Sequence, residues 1–265
     1  MSAASGRVAQ VWARLASVID PELDESVTEL GFVTSVEVDD GGGVVVAFRL
    51  PTYWCAANFA FLMAADMRAA VAGLPWVERV SVGLGEHMYA DEINRGMAEN
   101  LSFQQAFGDA ANDDLDAVRH TFLVKAFQRR QEALLTHLLA RGHEPEALLR
   151  LTIEELAVLA EEPESARLIA RYIERRVVCG PALEEAQSMT QPAFVDAHGS
   201  LLDPATLGAY LRELRRIGVN AEFNSALCRG LLAARYGDVA ERVEEKPVRF
   251  YPRTPDASKV QFKPA

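Results

Sequence analysis

The 265-residue sequence predicts an α+β N-terminal domain of order helix-strand-strand-helix-strand, then an all-α domain, then an extended C-terminal arm. Three observations lead there. The first ninety residues mix helical and strand periodicity. After roughly Gly85 no convincing strand pattern recurs, only apolar stripes at helical spacing. The last twenty residues hold prolines 247, 252, 255 and 264, which exclude a helix. The expected division is 1–87, 88–245 and 246–265.

In the first domain Val8, Val11, Trp12, Leu15, Val18 and Ile19 recur at helical spacing, and Pro21 predicts a helix end near Asp20. Phe32 to Val38 alternates Phe32, Thr34, Val36 and Val38 against Val33, Ser35 and Glu37, a strand with one buried face. Asp39-Asp40-Gly41-Gly42-Gly43 is a turn able to take positive φ, and Val44 to Leu50 completes a hairpin. Pro51 to Cys55 is a short loop feeding a helix over Ala56 to Ala72, whose Ala, Leu and Met content favours that state. Leu74-Pro75-Trp76 ends it, and Val77 to Val82 is the third strand.

Short helices are expected over Tyr89 to Asn100 and Ser102 to Phe107. Asp113 or Asp114 can cap a long helix reaching about Ala140, stopped by Gly142. Thr152-Ile153-Glu154-Glu155 is a capping box, and Ser165 to Cys179 is a further helix. Asp203-Pro204 opens a helix to Ile217 that Gly218 should stop, and Phe223 to Tyr236 is the last one.

The formal charge is -11, from 27 Lys and Arg against 38 Asp and Glu, which argues against nucleic-acid binding. No apolar run approaches the ~20 residues of a membrane helix, and the N-terminus lacks a signal-peptide core. Three widely spaced cysteines, Cys55, Cys179 and Cys228, suit a reducing cytoplasm. The terminal arm departs from this acidic balance: Lys246, Arg249, Arg253, Lys259 and Lys263 face the single acid Asp256, and Arg249, Phe250, Tyr251 and Arg253 are its candidate partner-binding residues.

Phosphate-loop, dinucleotide, Cys-x-x-Cys and Gly-x-Ser-x-Gly signatures are absent from the sequence. Two features remain. Asp20-Pro21-Glu22 sets two carboxylates in a turn after a helix, a pattern that also serves simply to stop one. Cys55 precedes a helix, with Thr52 three residues earlier. A thiol at a helix N-terminus meets free amides and the positive dipole end, which lower its pKa; the alternative is a small buried hydrophobe. His87 and Asp91, at i and i+4, would share a helix face and add imidazole and carboxylate donors; the competing reading is an acid-rich helix start with an exposed His. Cys179 and Cys228 read as core packing, and Arg175, Arg176, Arg212, Arg215 and Arg216 as solvated helix faces.

The ordered set Val18-Ile19-Asp20-Pro21-Glu22, Leu30-Gly31-Phe32-Val33, Thr52 with Cys55, and Val77 to Val82 resembles the iron–sulfur cluster assembly domain of SufT-like and PaaD-like proteins and of the eukaryotic cytosolic targeting factor. The resemblance covers about residues 7 to 84 and implies the same α+β fold. It implies that Asp20, Glu22, Thr52 and Cys55 contact a metal or cluster. The family often has proline after the cysteine; here Ala56 stands there. Typical members end soon after the third strand, and the long extension resembles actinobacterial-type members that accompany multicomponent iron monooxygenases. The resemblance therefore implies a non-enzymatic, cytoplasmic maturation factor. It would hold iron or an iron–sulfur cluster transiently and pass it to a client metalloprotein such as an oxygenase, with a homodimer or the client completing the ligand set. The rival expectations are a metal-free adaptor or assembly chaperone of an oxygenase complex, and an enzyme with Cys55 as nucleophile.

Overall fold

Helix α1 (Ala3–Leu15) opens the computed structural model, which describes residues 3–108, 114–179 and 189–237. The helix does not reach Asp20. The Ser17 hydroxyl donates to the Arg14 carbonyl, and Ile19–Asp20 (β1) pairs antiparallel with Glu25–Ser26 (β2). Between them the Pro21–Asp24 turn closes with Asp24 at φ 55, a conformation Asp tolerates better than most residues.

Strands β3 (Val33–Val38) and β4 (Gly43–Phe48) form the expected antiparallel hairpin, and β5 (Arg79–Leu84) joins β4 in parallel, giving the order β3-β4-β5. A parallel neighbour needs a crossover, which helix α2 (Ala57–Ala72) supplies. The alternation in β3 is broken: its register shifts between Val33 and Ser35. That bulge buries both Phe32 and Val33 and turns Thr34 outward, where unbroken alternation predicts Thr34 beside Phe32. In the hairpin turn Gly42 has φ +78, and a Cβ there would lie 2.6 Å from the Trp76 carbonyl, so glycine is required twice over.

The remaining helices are α3 (Ala90–Glu99), α4 (Phe103–Phe107), α5 (Leu115–Ala140), α6 (Pro145–Arg150), α7 (Ile153–Val158), α8 (Pro163–Arg176) and α9 (Leu207–Tyr236). Asp114 caps α5 by accepting from the amides of Asp116 and Ala117, and Thr152 with Glu155 forms the predicted capping box of α7. The expectation of two helices after Asp203 is corrected. α9 runs unbroken for 30 residues through Gly218. Glycine stops a helix most readily where the chain turns left-handed; within good helix formers it costs about 1 kcal/mol and the helix continues.

Two apolar clusters result. The first joins α1, the sheet, α2, α3 and α4, and takes Leu232 from the far end of α9. The second joins α5 to α8 with Ala193–Val195 and Leu207 from the near end of α9. Gly96 lets α3 close on α2, since a Cβ would fall 2.7 Å from the Phe61 ring. Arg176 is not solvated as expected: it is buried and donates to the carbonyls of Ala193, Pro192 and Cys179. Arg175 also turns inward, to Asp24 at 3.0 Å. The carboxylate of Asp24 is held bidentately by Arg130 at 2.6 and 2.8 Å, both side chains buried. This pair bonds the N-terminal turn to α5.

Candidate functional site

Cys55 lies one residue before Ala56, the residue that precedes α2, and is half-buried. Its Sγ is 3.0 Å from the Thr52 hydroxyl, so the predicted Thr-x-x-Cys spacing brings these two side chains together. Beside the thiol the loop leaves Tyr53, Trp54 and, across from it, Met88 exposed at 52%, 71% and 46%. The Met88 amide donates to the Tyr53 carbonyl and fixes the two segments to each other.

Asp20 is buried, and its Oδ1 accepts from the amides of Glu22 at 2.9 Å and Leu23 at 2.8 Å. Its first role is therefore to hold the Pro21–Asp24 turn. Burial nonetheless pushes its carboxyl up to about 6, against the pull of those two amides and with the charges of Glu22 and Glu25 adding to the rise. Glu22 is half-buried and accepts from Asn224 of α9 at 3.0 Å.

His87 and Asp91 do not form the expected pair. α3 begins at Ala90, so His87 precedes the helix and the i, i+4 relation has no helix to act through. His87 is buried rather than exposed; its Nδ1 accepts from the Tyr89 amide at 3.2 Å, so Nε2 carries the proton and donates to the Cys55 carbonyl at 2.8 Å. Burial holds this imidazole below its ordinary range. Both nitrogens are occupied, and His87 acts as a strut behind the Cys55 loop. Asp91 is exposed in the first turn of α3. Arg249, Phe250, Tyr251 and Arg253 lie outside the described residues.

What the sequence reading misses is the cover. One face of α9 crosses the site: Asn224 bonds Glu22, Ser225 bonds Glu25, and Arg229 pairs with Glu25 and donates to the Glu29 carbonyl. One turn on, Leu232 is fully buried in the first core, and Arg235 donates to the carbonyls of Leu50 and Glu86. Cys228 sits on this same face between Ser225 and Leu232, and packs on the same core as Cys55. Burial pushes its thiol up to about 11, and the charges of Cys55, Asp20, Glu22 and Glu25 all add to the rise. The charges of four groups of the N-terminal domain thus act on one sulfur of the extension. No spacing in the sequence could signal this, because Cys228 is an isolated cysteine on an apolar helix stripe.

As a ligand set the group is partial. Among the described residues no three His, Cys, Asp or Glu side chains gather as a metal ion requires. Cys55 is the reachable soft donor, and Asp20 and Glu22 already spend oxygens on the turn and on α9. Among the same residues no helix is long and apolar enough to cross a membrane.

A family model described as iron–sulfur cluster assembly protein matches residues 8–82. Over 85 residues the chain is 32% identical to an uncharacterized protein of Methanocaldococcus jannaschii, a match spanning 32% of this chain and 87% of that one. The crystal structure of a domain of unknown function, DUF59, from Bacillus anthracis is 25% identical, with a TM-score of 0.29, over 30% of this chain and 74% of that chain. The chain belongs to the iron–sulfur cluster assembly protein family through its N-terminal third, and its role lies in iron–sulfur cluster assembly.

Proposed function

We propose that this protein is a maturation factor rather than an enzyme, taking iron or an iron–sulfur cluster as cargo on Cys55 and handing it to a client metalloprotein. The observation that carries the reading is the Cys55 thiol itself: half-buried, hydrogen-bonded to Thr52, and flanked by the exposed side chains of Tyr53, Trp54 and Met88. A soft sulfur donor beside an apolar patch suits a site where cargo and client meet. One thiolate cannot hold a cluster that wants four sulfur ligands, so the remaining donors come from the client, a second copy of the chain, or Cys228. Weak ligation favours transfer over storage. Asp20 and Glu22 supply negative charge beside the cargo, and the α-helical extension chooses the client, for which an iron-dependent oxygenase is the candidate class. The setting is the cytoplasm, where thiols stay reduced.

Anaerobic incubation with ferrous iron and sulfide tests this. Thiolate-to-iron absorption bands are expected, and Cys55→Ala should abolish them. A colourless wild-type protein that still co-purifies with an oxygenase would make it an adaptor. Rapid selective alkylation of Cys55 coupled to turnover of a thioester would make it an enzyme.

A further inference from the structure

A cavity of about 660 Å³ lies away from Cys55, between the N-terminal turn, α5, α8 and α9. Small side chains keep it open: Ala133 on α5, and Gly218 and Ala221 on α9. Its inner wall is an arginine cluster around Asp24. Arg130 is satisfied by Asp24 and by Glu174 at 2.7 Å, and Arg175 reaches Asp24 at 3.0 Å. Arg171 comes only within 3.9 Å of the same carboxylate. Arg129 has no carboxylate at ion-pair distance among the described residues, and its bond is a 3.4 Å contact to the Glu22 carbonyl.

Three guanidiniums, those of Arg130, Arg171 and Arg175, therefore share Asp24, Glu174 serves Arg130, and Arg129 stands beside them. Burial works against the charge of Arg129, Asp24 and Glu25 act in its favour, and Arg130 and Arg171 repel it. The Nε of Arg175 is buried without a hydrogen-bond partner among the described residues. The cavity's other acids are engaged elsewhere. Glu25 is taken by Arg229 and Ser225, Glu222 by Arg215, and the charge of Glu132 acts on Arg215. Glu29 is exposed at the rim. In a chain of net charge -11, an under-neutralised guanidinium facing a cavity calls for an anion.

The geometry points to an anion-binding site in this cavity, in which Arg129 and Arg171 take a small oxyanion carrying two or more negative charges, of phosphate or polycarboxylate type. Guanidinium forks match the paired oxygens of either class.

The test uses the full chain with inorganic phosphate and, separately, citrate, titrated by calorimetry at fixed ionic strength set with chloride. Saturable binding of at least one is expected, and the tighter of the two identifies the class. Arg129→Gln should weaken it at least about tenfold, the factor that about 1.4 kcal/mol of lost charge-assisted bonding represents. Arg171→Gln should weaken it too and carries the test should Arg129→Gln fail to fold. Arg79→Gln, whose partner is Asp39 at the β3–β4 hairpin, and Cys55→Ala should leave binding unchanged. Absence of binding to both anions, or equal loss in Arg79→Gln and Arg171→Gln, would overturn the assignment.

Discussion

Asp20→Asn should stabilise this protein, and increasingly so as pH rises. In the folded chain the carboxyl titrates at about 6 instead of its ordinary 3.8, chiefly because it is buried. A raised folded pKa means that the protonated form is favoured by folding. That contribution is complete below about pH 3.8 and is lost as pH climbs through about 6. At 1.36 kcal/mol per pH unit, keeping Asp20 ionised costs roughly 3 kcal/mol at pH 8 and roughly 1 kcal/mol at pH 4.5. The asparagine keeps an Oδ1 to accept the amides of Glu22 and Leu23 and carries no charge. The stability difference between variant and wild type should therefore grow by about 2 kcal/mol in the variant's favour from pH 4.5 to pH 8. Urea unfolding at four or five pH values across that interval measures it, and the difference of two curves removes the titration of every other group. A flat difference would refute the reasoning, because it would mean the buried carboxylate is stabilised by contacts as strong as its lost hydration. A carboxyl held at such expense is a candidate functional group.

Asp24→Asn should cost about 3–5 kcal/mol, since it strands the buried Arg130 without its carboxylate; chemical denaturation checks this, and a loss below about 1 kcal/mol would show the pair to be dispensable. Gly96→Ala should cost about 1–3 kcal/mol through the clash with Phe61, read as a lowered melting temperature. Leu232→Ala should weaken the seating of α9 by about 2–5 kcal/mol and speed native-state alkylation of Cys55, with unchanged reactivity at reduced stability counting against the cover. Cys228→Ser should raise the rate less, because it leaves Leu232 and Arg235 in place.

Chemical signals local in sequence proved readable. The Asp-Asp-Gly-Gly turn, the α2 helix, the Thr152 capping box and the Asp114 cap depend on contacts within a few residues, and each formed as its composition predicts. Thr52 and Cys55 met for the same reason, being three residues apart in one loop. The family pattern extended that reading from shape to role, since an ordered set of residues at characteristic spacings survives without any contact being known. Errors arose where a local signal was outvoted by packing. Pro21 marked a helix stop, but burial of Val18 and the β1–β2 pairing ended α1 earlier. Gly218 read as a terminator, yet α9 gains apolar anchors at both ends by running through it, Leu207 in one core and Leu232 in the other.

By itself, then, the amino-acid order determined the α+β domain, the helical character of the extension and the thiol at the head of α2. Only the tertiary structure decided that Arg175 and Arg176 turn inward, that His87 spends both nitrogens behind the Cys55 loop, and that Asn224, Ser225 and Arg229 close over Glu22 and Glu25. The reason is separation: Asn224 and Ser225 stand about 200 residues from Glu22 and Glu25, and Arg175 stands 151 from Asp24, where no periodicity or spacing links them. Their meeting is set by how two cores and one long helix pack, a property of the whole chain's surfaces and of none of its segments.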